Sequence, residues 1–337
     1  MDPCEELQKK AQSLEDALKK IPRAALGCFP TPLHRLEGMS RRFGRDVLIK
    51  RDDLTGLGPG GNKIRSLEFL LGQARAEGCS VVLAAGPLQS NLCTLAAASA
   101  ARLGLACELF FNAPEPERFE GNQLLNRLLG AKLRFLGHID AAQREAAVSR
   151  RQKELASRGV RAFQVKNGAT SGRGALGYTA AVPELLRQCR ERGIEKLSLF
   201  APGGNGGVAA GLIFGNALTG GMIDLHIVSV EDPAPVLKAH IAAVIREAAA
   251  LTWLPAPADF EAFCTVTDRF RGGGWGQDTA ESAAMVPSFA ASEGIFAEKI
   301  YTSKVLVAME RALEEGSVSG VPCWLHTGGL GSLFAQY

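Results

Sequence analysis

The stretch Gly60-Gly61-Asn62-Lys63-Ile64-Arg65-Ser66-Leu67-Glu68-Phe69-Leu70-Leu71 sets a run of leucines directly behind two glycines, an asparagine and a lysine. Ile64, Leu67, Leu70, Leu71 and Ala74 recur at helical spacing, which predicts a helix over 62–77 with a buried face. The apolar runs on either side, 47–50 and 80–85, are short and read as strands. Strand, glycine turn, helix and strand together open a parallel α/β sheet. Lys63 is the odd residue. At a helix start its charge opposes the helix dipole, and burial would lower its pKa as well. Two readings stand: a solvated surface lysine, or a neutral amine in a cleft, able to attack an aldehyde or act as a base.

The same rhythm extends outward. Helices are expected at 90–103, 121–129 and 141–158, with strands at 106–111, 133–136 and 162–165. The second half repeats it, with helices at 174–192, 208–218, 235–251 and 303–315 and strands at 197–201, 223–230 and 323–326. The segment 255–275, which contains Gly272-Gly273-Gly274, reads as an irregular loop near a site. Leu7, Ala11, Leu14, Leu18 and Ile21 predict an amphipathic surface helix, and its mixed charge speaks against a secretion signal. No repeat, low-complexity tract or linker divides the halves, which favours two interleaved lobes.

Hydrophobic residues make up 46% of the 337 and charged ones 22%, the profile of an ordinary globular chain with one large or two smaller domains. With 38 basic and 35 acidic residues, the chain carries no electrostatic footprint for nucleic acid. No apolar run is long enough for a bilayer. The cysteines, at 4, 28, 79, 93, 107, 189, 264 and 323, show no metal-ligand spacing, so no metal site is expected. Cys79, Cys107 and Cys323 sit in apolar contexts and are expected as small buried hydrophobes, in a reduced, cytoplasmic setting.

Four polar or glycine-rich turns end predicted strands, the edge at which open parallel sheets bind ligands. The first carries Lys63. The second, Gln89-Ser90-Asn91, puts amide and hydroxyl groups at a helix start, suited to a carboxylate or to a plain helix cap. The third, Gly203-Gly204-Asn205-Gly206-Gly207, is neither a Walker loop nor a Rossmann fingerprint. Its successive N–H groups suit a phosphate, a tight packing turn being the alternative. The fourth, His326-Thr327-Gly328-Gly329, offers a neutral hydroxyl to a ligand nitrogen, while His326 lacks an acidic partner and reads as structural. An aldehyde, a phosphate and a pyridine nitrogen in one molecule describe pyridoxal 5'-phosphate.

The blocks IKRDDLTGLGPGGNKIRSLEFLL (49–71), GPLQSN (86–91), GALGY (174–178), GGNGGVAAGL (203–212), SEGIF (292–296), YTSK (301–304) and HTGGLGSLF (326–334) run in consistent order. They resemble the family of D-cysteine desulfhydrases and 1-aminocyclopropane-1-carboxylate deaminases, pyridoxal-phosphate enzymes of the tryptophan-synthase-β fold type. The resemblance spans Thr31 to Tyr337. It implies two open, mainly parallel twisted sheets flanked by helices, in a large domain (1–52 and 165–337) and a small one (53–164). The cofactor would lie in the cleft between them. It makes Lys63 the Schiff-base lysine, with Asn62 beside the ring. Gln89, Ser90 and Asn91 would hold the substrate carboxylate, and Gly204, Asn205, Gly206 and Gly207 the phosphate. Tyr301 would stack by the ring or assist proton transfer, and Thr327, ahead of Thr302, would face the pyridine nitrogen. A homodimer acting on a small amino acid is implied too.

Some positions depart from the family pattern. Val208 stands where a phosphate-binding hydroxyl is usual, and Asn205 where serine is usual. Trp275, between Gly274 and Gly276, replaces a tyrosine expected to contact substrate. Thr302 and Thr327 side with the desulfhydrase branch, since the deaminase has glutamate and an apolar residue there. A neutral hydroxyl at the ring nitrogen suits β-elimination, which needs less ring stabilisation of the carbanion. The expected reaction is therefore D-cysteine to pyruvate, ammonia and sulfide. The alternatives are a lyase for an anionic analogue such as cysteate, which needs a cation at the β-position, a ring-opening deaminase, and a pyridoxal-phosphate-binding protein without catalysis. Arg173 is the cation to test there, the reading as a plain surface residue being the favoured one.

Overall fold

The structure is a computed structural model that describes residues 3–337, the side chains of residues 3 and 4 excepted, so Cys4 lies outside the description. In chain order the strands are β1 (Leu33–Arg35), β2 (Leu48–Arg51), β3 (Val81–Gly86), β4 (Ala106–Phe111), β5 (Lys132–Phe135), β6 (Ala162–Gln164), β7 (Leu197–Gly203), β8 (Ile223–Ser229), β9 (Cys264–Thr267) and β10 (Val321–His326). They make two sheets, ordered β1-β2-β10-β7-β8-β9 and β5-β4-β3-β6. Every pairing is parallel except β1 with β2. The chain leaves the larger sheet after β2, builds the smaller one, and returns at β7. Helices cover both sheets, as near-continuous apolar strands such as Val81–Gly86 require.

The helix Lys63–Ala76 joins the two halves. Ile64, Leu67, Leu70 and Leu71 enter the core of the smaller sheet with Leu92 and Leu95, while Phe69 enters the core of the larger one. It packs on the helices Gly172–Thr179 and Asn91–Arg102. At the first contact the backbones touch: a Cβ on Gly177 would lie 2.3 Å from the Arg65 carbonyl. A buried ionic network fixes the same helix from below. Arg65 donates to Asp52 at 2.7 and 2.8 Å, to Glu184 at 3.0 and 2.9 Å, and to the Thr31 hydroxyl. Lys50 joins Glu184 at 2.5 Å, and the Tyr178 hydroxyl donates to Asp52.

Most expected elements are present with ends shifted by a residue or two. The helix expected at 174–192 is two helices, Gly172–Thr179 and Ala181–Glu191. Pro183 breaks the run, because it has no N–H to give and its ring crowds the Thr179 carbonyl. The stretch 255–275 is not wholly irregular, since it contributes the edge strand β9. Its residues are only partly buried, so no apolar alternation announces it. The helices Glu37–Phe43 and Ala280–Glu293 were not legible either; the second carries few large apolar residues and an internal proline. Cys107 and Cys323 are buried as expected, but Cys79 is partly exposed.

Candidate active site

A cavity of about 320 Å³ lies at the C-terminal ends of strands from both sheets. Asn62, Lys63, Gln89, Ser90, Asn91, Gly204, Asn205, Gly206, Gly207, Trp275, Tyr301 and Thr327, all expected at a site from the sequence, line it together. Turns more than 200 residues apart in the chain thus meet in one place.

Lys63 is the first residue of its helix, and its Nζ donates to the Gly168 carbonyl at 2.9 Å. Burial pushes its pKa down to about 8, against the opposing pull of the Glu231 carboxylate. The helix start is tied to the end of β10, where Asn62 N–H donates to the Thr327 carbonyl at 3.0 Å and Gly61 bridges Gly328. Only glycine fits there: Gly61 has φ +139°, and a Cβ on Gly328 would lie 2.8 Å from the Gly61 Cα.

Ser90 caps the helix Asn91–Arg102, its Oγ accepting from Cys93 N–H at 3.3 Å, and also lines the cavity. The two readings of this turn are therefore compatible. Gln89 and Asn91 are braced by the segment 120–122. Gln89 Oε1 accepts from Asn122 N–H at 2.9 Å and its Nε2 donates to Glu120 O, while Asn91 Oδ1 accepts from Asn122 Nδ2 at 2.8 Å. Their amides hold the turn in shape, leaving its backbone and the Ser90 hydroxyl to face the cavity.

The glycine turn after β7 leads into the helix Gly207–Thr219, whose N-cap, Gly206, has φ +86° and caps with no side chain. First-turn N–H groups in such a bend, at the positive end of a helix, form an anion seat. Thr170, which the sequence did not single out, stands over it: a Cβ on Gly207 would lie 3.2 Å from the Thr170 Oγ1. That hydroxyl sits close to the seat in which Val208 supplies none.

At the opposite wall, Trp275 Nε1 donates to the Tyr301 hydroxyl at 2.5 Å, and burial raises the pKa of that phenol. Thr302 does not line the cavity. Its hydroxyl donates to Glu298 Oε1 at 3.1 Å, and the same carboxylate takes the N–H groups of Ile300, Tyr301 and Thr302. Of the two threonines considered for the ring nitrogen, only Thr327 reaches the cavity. His326 is structural. Its Nε2 donates to Phe296 O at 2.9 Å, Nδ1 accepts from Gly328 N–H, and the ring stacks on Trp324. Contrary to the sequence reading it has an acidic neighbour, Asp53 Oδ2 at 3.7 Å from Nε2, yet burial outweighs that charge and pushes its pKa down to about 4.

Arg173 lies outside the cavity. The charge it feels is Glu77, at the far end of the Lys63–Ala76 helix, about 20 Å from Lys63 by helical rise. Three charged residues that sequence reasoning missed do line it, Glu231, Glu298 and Arg144. Glu231 Oε2 is buried without a partner, and a Cβ on Gly204 would lie 3.5 Å from it. Burial raises its pKa, helped by neighbouring Asp232. Neither Glu231 nor Arg144 belongs to a recognisable motif. Among the described residues there is no cluster of metal-ligating side chains, and no helix is long and apolar enough to cross a membrane.

A low-pKa lysine and an uncapped glycine seat facing one cavity at the strand ends of an α/β fold define an enzyme that holds a phosphorylated aldehyde cofactor. The chain belongs to the pyridoxal-phosphate dependent enzyme family, whose model matches residues 24–327. It is 33% identical to a D-cysteine desulfhydrase of Klebsiella pneumoniae over 95% of this chain and 98% of that one. It is 31% identical, over 94% of both chains, to a Pyrococcus abyssi protein provisionally named a 1-aminocyclopropane-1-carboxylate deaminase. A crystal structure of a 1-aminocyclopropane-1-carboxylate deaminase homologue superposes with a TM-score of 0.87 at 31% identity, covering 96% of each chain. The chain is thus a pyridoxal-phosphate-dependent lyase or deaminase of the desulfhydrase and deaminase group. The residues present fit the cofactor: the glycine turn has no side-chain cap, and the lysine and the neutral Thr327 line the same cavity.

Proposed function

We propose that the protein catalyses α,β-elimination on a small amino acid, with D-cysteine giving pyruvate, ammonia and sulfide. The observation that supports this most is the meeting of Lys63, the glycine seat, the Ser90 turn and Thr327 in one cavity, with Thr302 turned away from it.

Pyridoxal phosphate, when bound, supplies an electron sink for the bonds at the substrate Cα. Lys63 would hold its aldehyde carbon, Gly204 to Gly207 with Thr170 its phosphate, and Thr327 its ring nitrogen. The Ser90 turn grips the substrate carboxylate with backbone N–H groups at a helix start. The Lys63 amine would take the Cα proton. A pKa of about 8 leaves roughly a tenth of such an amine neutral at pH 7, enough for a base. Tyr301, its oxygen held by Trp275, stands ready to hand a proton to the leaving group. With Trp275 in place of a second phenol, the site has one fewer proton donor for ring opening.

The same reading takes 1–52 with 165–337 as the large domain and 53–164 as the small one, and the protein as a cytoplasmic homodimer. Light scattering on the purified protein checks the dimer. The test of function is the holoprotein with a panel of D- and L-amino acids, assaying pyruvate and sulfide. Lys63→Ala should abolish both products and the cofactor's bound-state absorbance; a variant that kept band and turnover would sink the assignment. Product from 1-aminocyclopropane-1-carboxylate, with no sulfide from cysteine, would move the protein to the deaminase side.

A further inference from the structure

Lys304 is fully buried, and nothing in the reaction just described uses it. It stands in the first turn of the helix Thr302–Glu314, three residues after Tyr301, the N-cap of that helix. Lys50, another buried lysine, is paired with Glu184 at 2.5 Å. Lys304 makes no ion pair among the described residues, and Glu298 and Asp278 act on it only from a distance. Its Nζ donates instead to two backbone carbonyls, Arg271 O at 2.7 Å and Gly274 O at 3.1 Å. Burying an ammonium against neutral carbonyls alone is costly, and an apolar side chain of the same length would avoid that cost.

Both carbonyls belong to the segment 268–279, which joins β9 to the helix Ala280–Glu293. The hydrogen bonds within its middle are long: Gly274 N–H reaches Arg271 O at 3.4 Å, and Gln277 N–H reaches Gly274 O at 3.4 Å. Gly272, Gly274 and Gly276 have φ of +64°, +114° and +76°, which glycine alone adopts freely. A segment so built has little shape of its own. Two side chains fix its middle: Lys304, and Arg271, whose Nη1 donates to Glu231 O at 3.2 Å. The residue after Gly274 is Trp275, which is 41% exposed, lines the cavity and donates to the Tyr301 hydroxyl. An indole N–H can only donate, so the Tyr301 oxygen must accept, and its own proton is left for the cavity. Burial raises the pKa of that phenol, and the indole bond draws it partly back.

We propose that Lys304 is a positioning residue: by holding the Gly274 carbonyl it sets the Trp275 indole on the Tyr301 oxygen, and so keeps Tyr301 a proton donor toward the leaving group. This rests on the elimination reading and adds to it the residue that aligns the acid. In that step the departing sulfur keeps the electron pair of its bond to Cβ. The Tyr301 O–H bond breaks, its proton goes to that sulfur, and the phenolate regains a proton from water. The indole N–H stays on the oxygen throughout and stabilises the phenolate while it lasts. Lys304 and Tyr301 share one helix end, so the loop is registered against the very turn that carries the phenol. Without the ammonium, two carbonyls lose their donor and the glycines let Trp275 swing away.

The test compares the wild-type holoenzyme with Lys304→Met, Trp275→Phe and the double variant, on D-cysteine or whichever amino acid of the panel is turned over. Each single change should lower kcat about tenfold with KM within about twofold, and the double variant should be no slower than the slower single one. Losses that multiply to about a hundredfold would show that Lys304 acts apart from Trp275 and overturn the proposal, as would an unchanged kcat in Lys304→Met. A second reading needs no turnover. In a Trp253→Phe background, which removes an indole that is 93% exposed, Trp324 is buried, so acrylamide quenching of the remaining fluorescence follows Trp275. Lys304→Met should raise that quenching about twofold; unchanged quenching would show that the loop stands without the lysine and overturn the proposal. If no amino acid is turned over, the elimination reading fails, and the quenching still decides whether Lys304 holds the loop. Should Lys304→Met not fold, Lys304→Gln, which keeps N–H donors on a shorter arm, should give the same pattern with smaller losses.

Discussion

Lys63 owes its reactivity to two neighbours that pull in opposite directions. Burial favours the neutral amine, while Glu231 favours the ammonium. With a pKa near 8, the amine gains neutral fraction as pH rises through 8 and levels off above it. The rate at which the apoprotein takes up pyridoxal phosphate should follow that curve. Glu231→Gln removes the stabilising charge, so the midpoint should move to lower pH; a midpoint that stayed put or rose would show that the carboxylate does not act on the lysine. The residues at this scale differ in how plainly they could be read. Lys63, Ser90 and Thr327 stood out because each sits beside turn residues that leave a compositional mark. Glu231, in Val230-Glu231-Asp232-Pro233, looks like any solvated acidic turn, and Thr170 and Arg144 look like a loop hydroxyl and a helix-surface cation. Only tertiary packing turns these three inward.

The elements that matter most are the ones that end at the cavity. The helix Gly207–Thr219 presents its N-terminus to the anion seat, and its second residue, Val208, lines the cavity without a hydroxyl. Val208→Thr should add a donor beside the free N–H groups and tighten pyridoxal phosphate several-fold, on the order of 1 kcal/mol for one new hydrogen bond. Fluorescence titration of the apoprotein measures it; unchanged affinity would mean that Thr170 already fills that place. Periodicity located this helix and most others, since each buries a regular apolar stripe. It failed where the chain broke its own pattern. The run 174–192 keeps one apolar spacing across Ala180, so the break shows only in the backbone demand of Pro183. The edge strand β9 buries too little to leave any stripe at all.

Across the whole molecule, Arg65 links the turn after β2, the Lys63 helix and the helix Ala181–Glu191 through Asp52 and Glu184. Arg65→Leu would leave the buried Asp52 carboxylate with hydroxyl donors alone and Glu184 with Lys50 as its one cation, a loss of about 3–5 kcal/mol by analogy with other broken buried pairs. Urea denaturation should show that loss, and cofactor affinity should fall with it; a variant as stable as wild type would show the network to be dispensable. The alternation of strands and helices made the α/β architecture legible, but not the order of the large sheet. That order has one further consequence. β10 lies between β2 and β7, with β7 joined to it through Leu197 opposite Val321 and β2 through Leu48 opposite Cys323. The strands it separates leave the ribosome long before it does. A polypeptide cut short ahead of Val321 would carry a split sheet with two raw edges, and no Thr327 carbonyl to hold the start of the lysine helix. The yellow colour of bound cofactor would then report that translation had run past residue 328, a built-in test for unfinished copies.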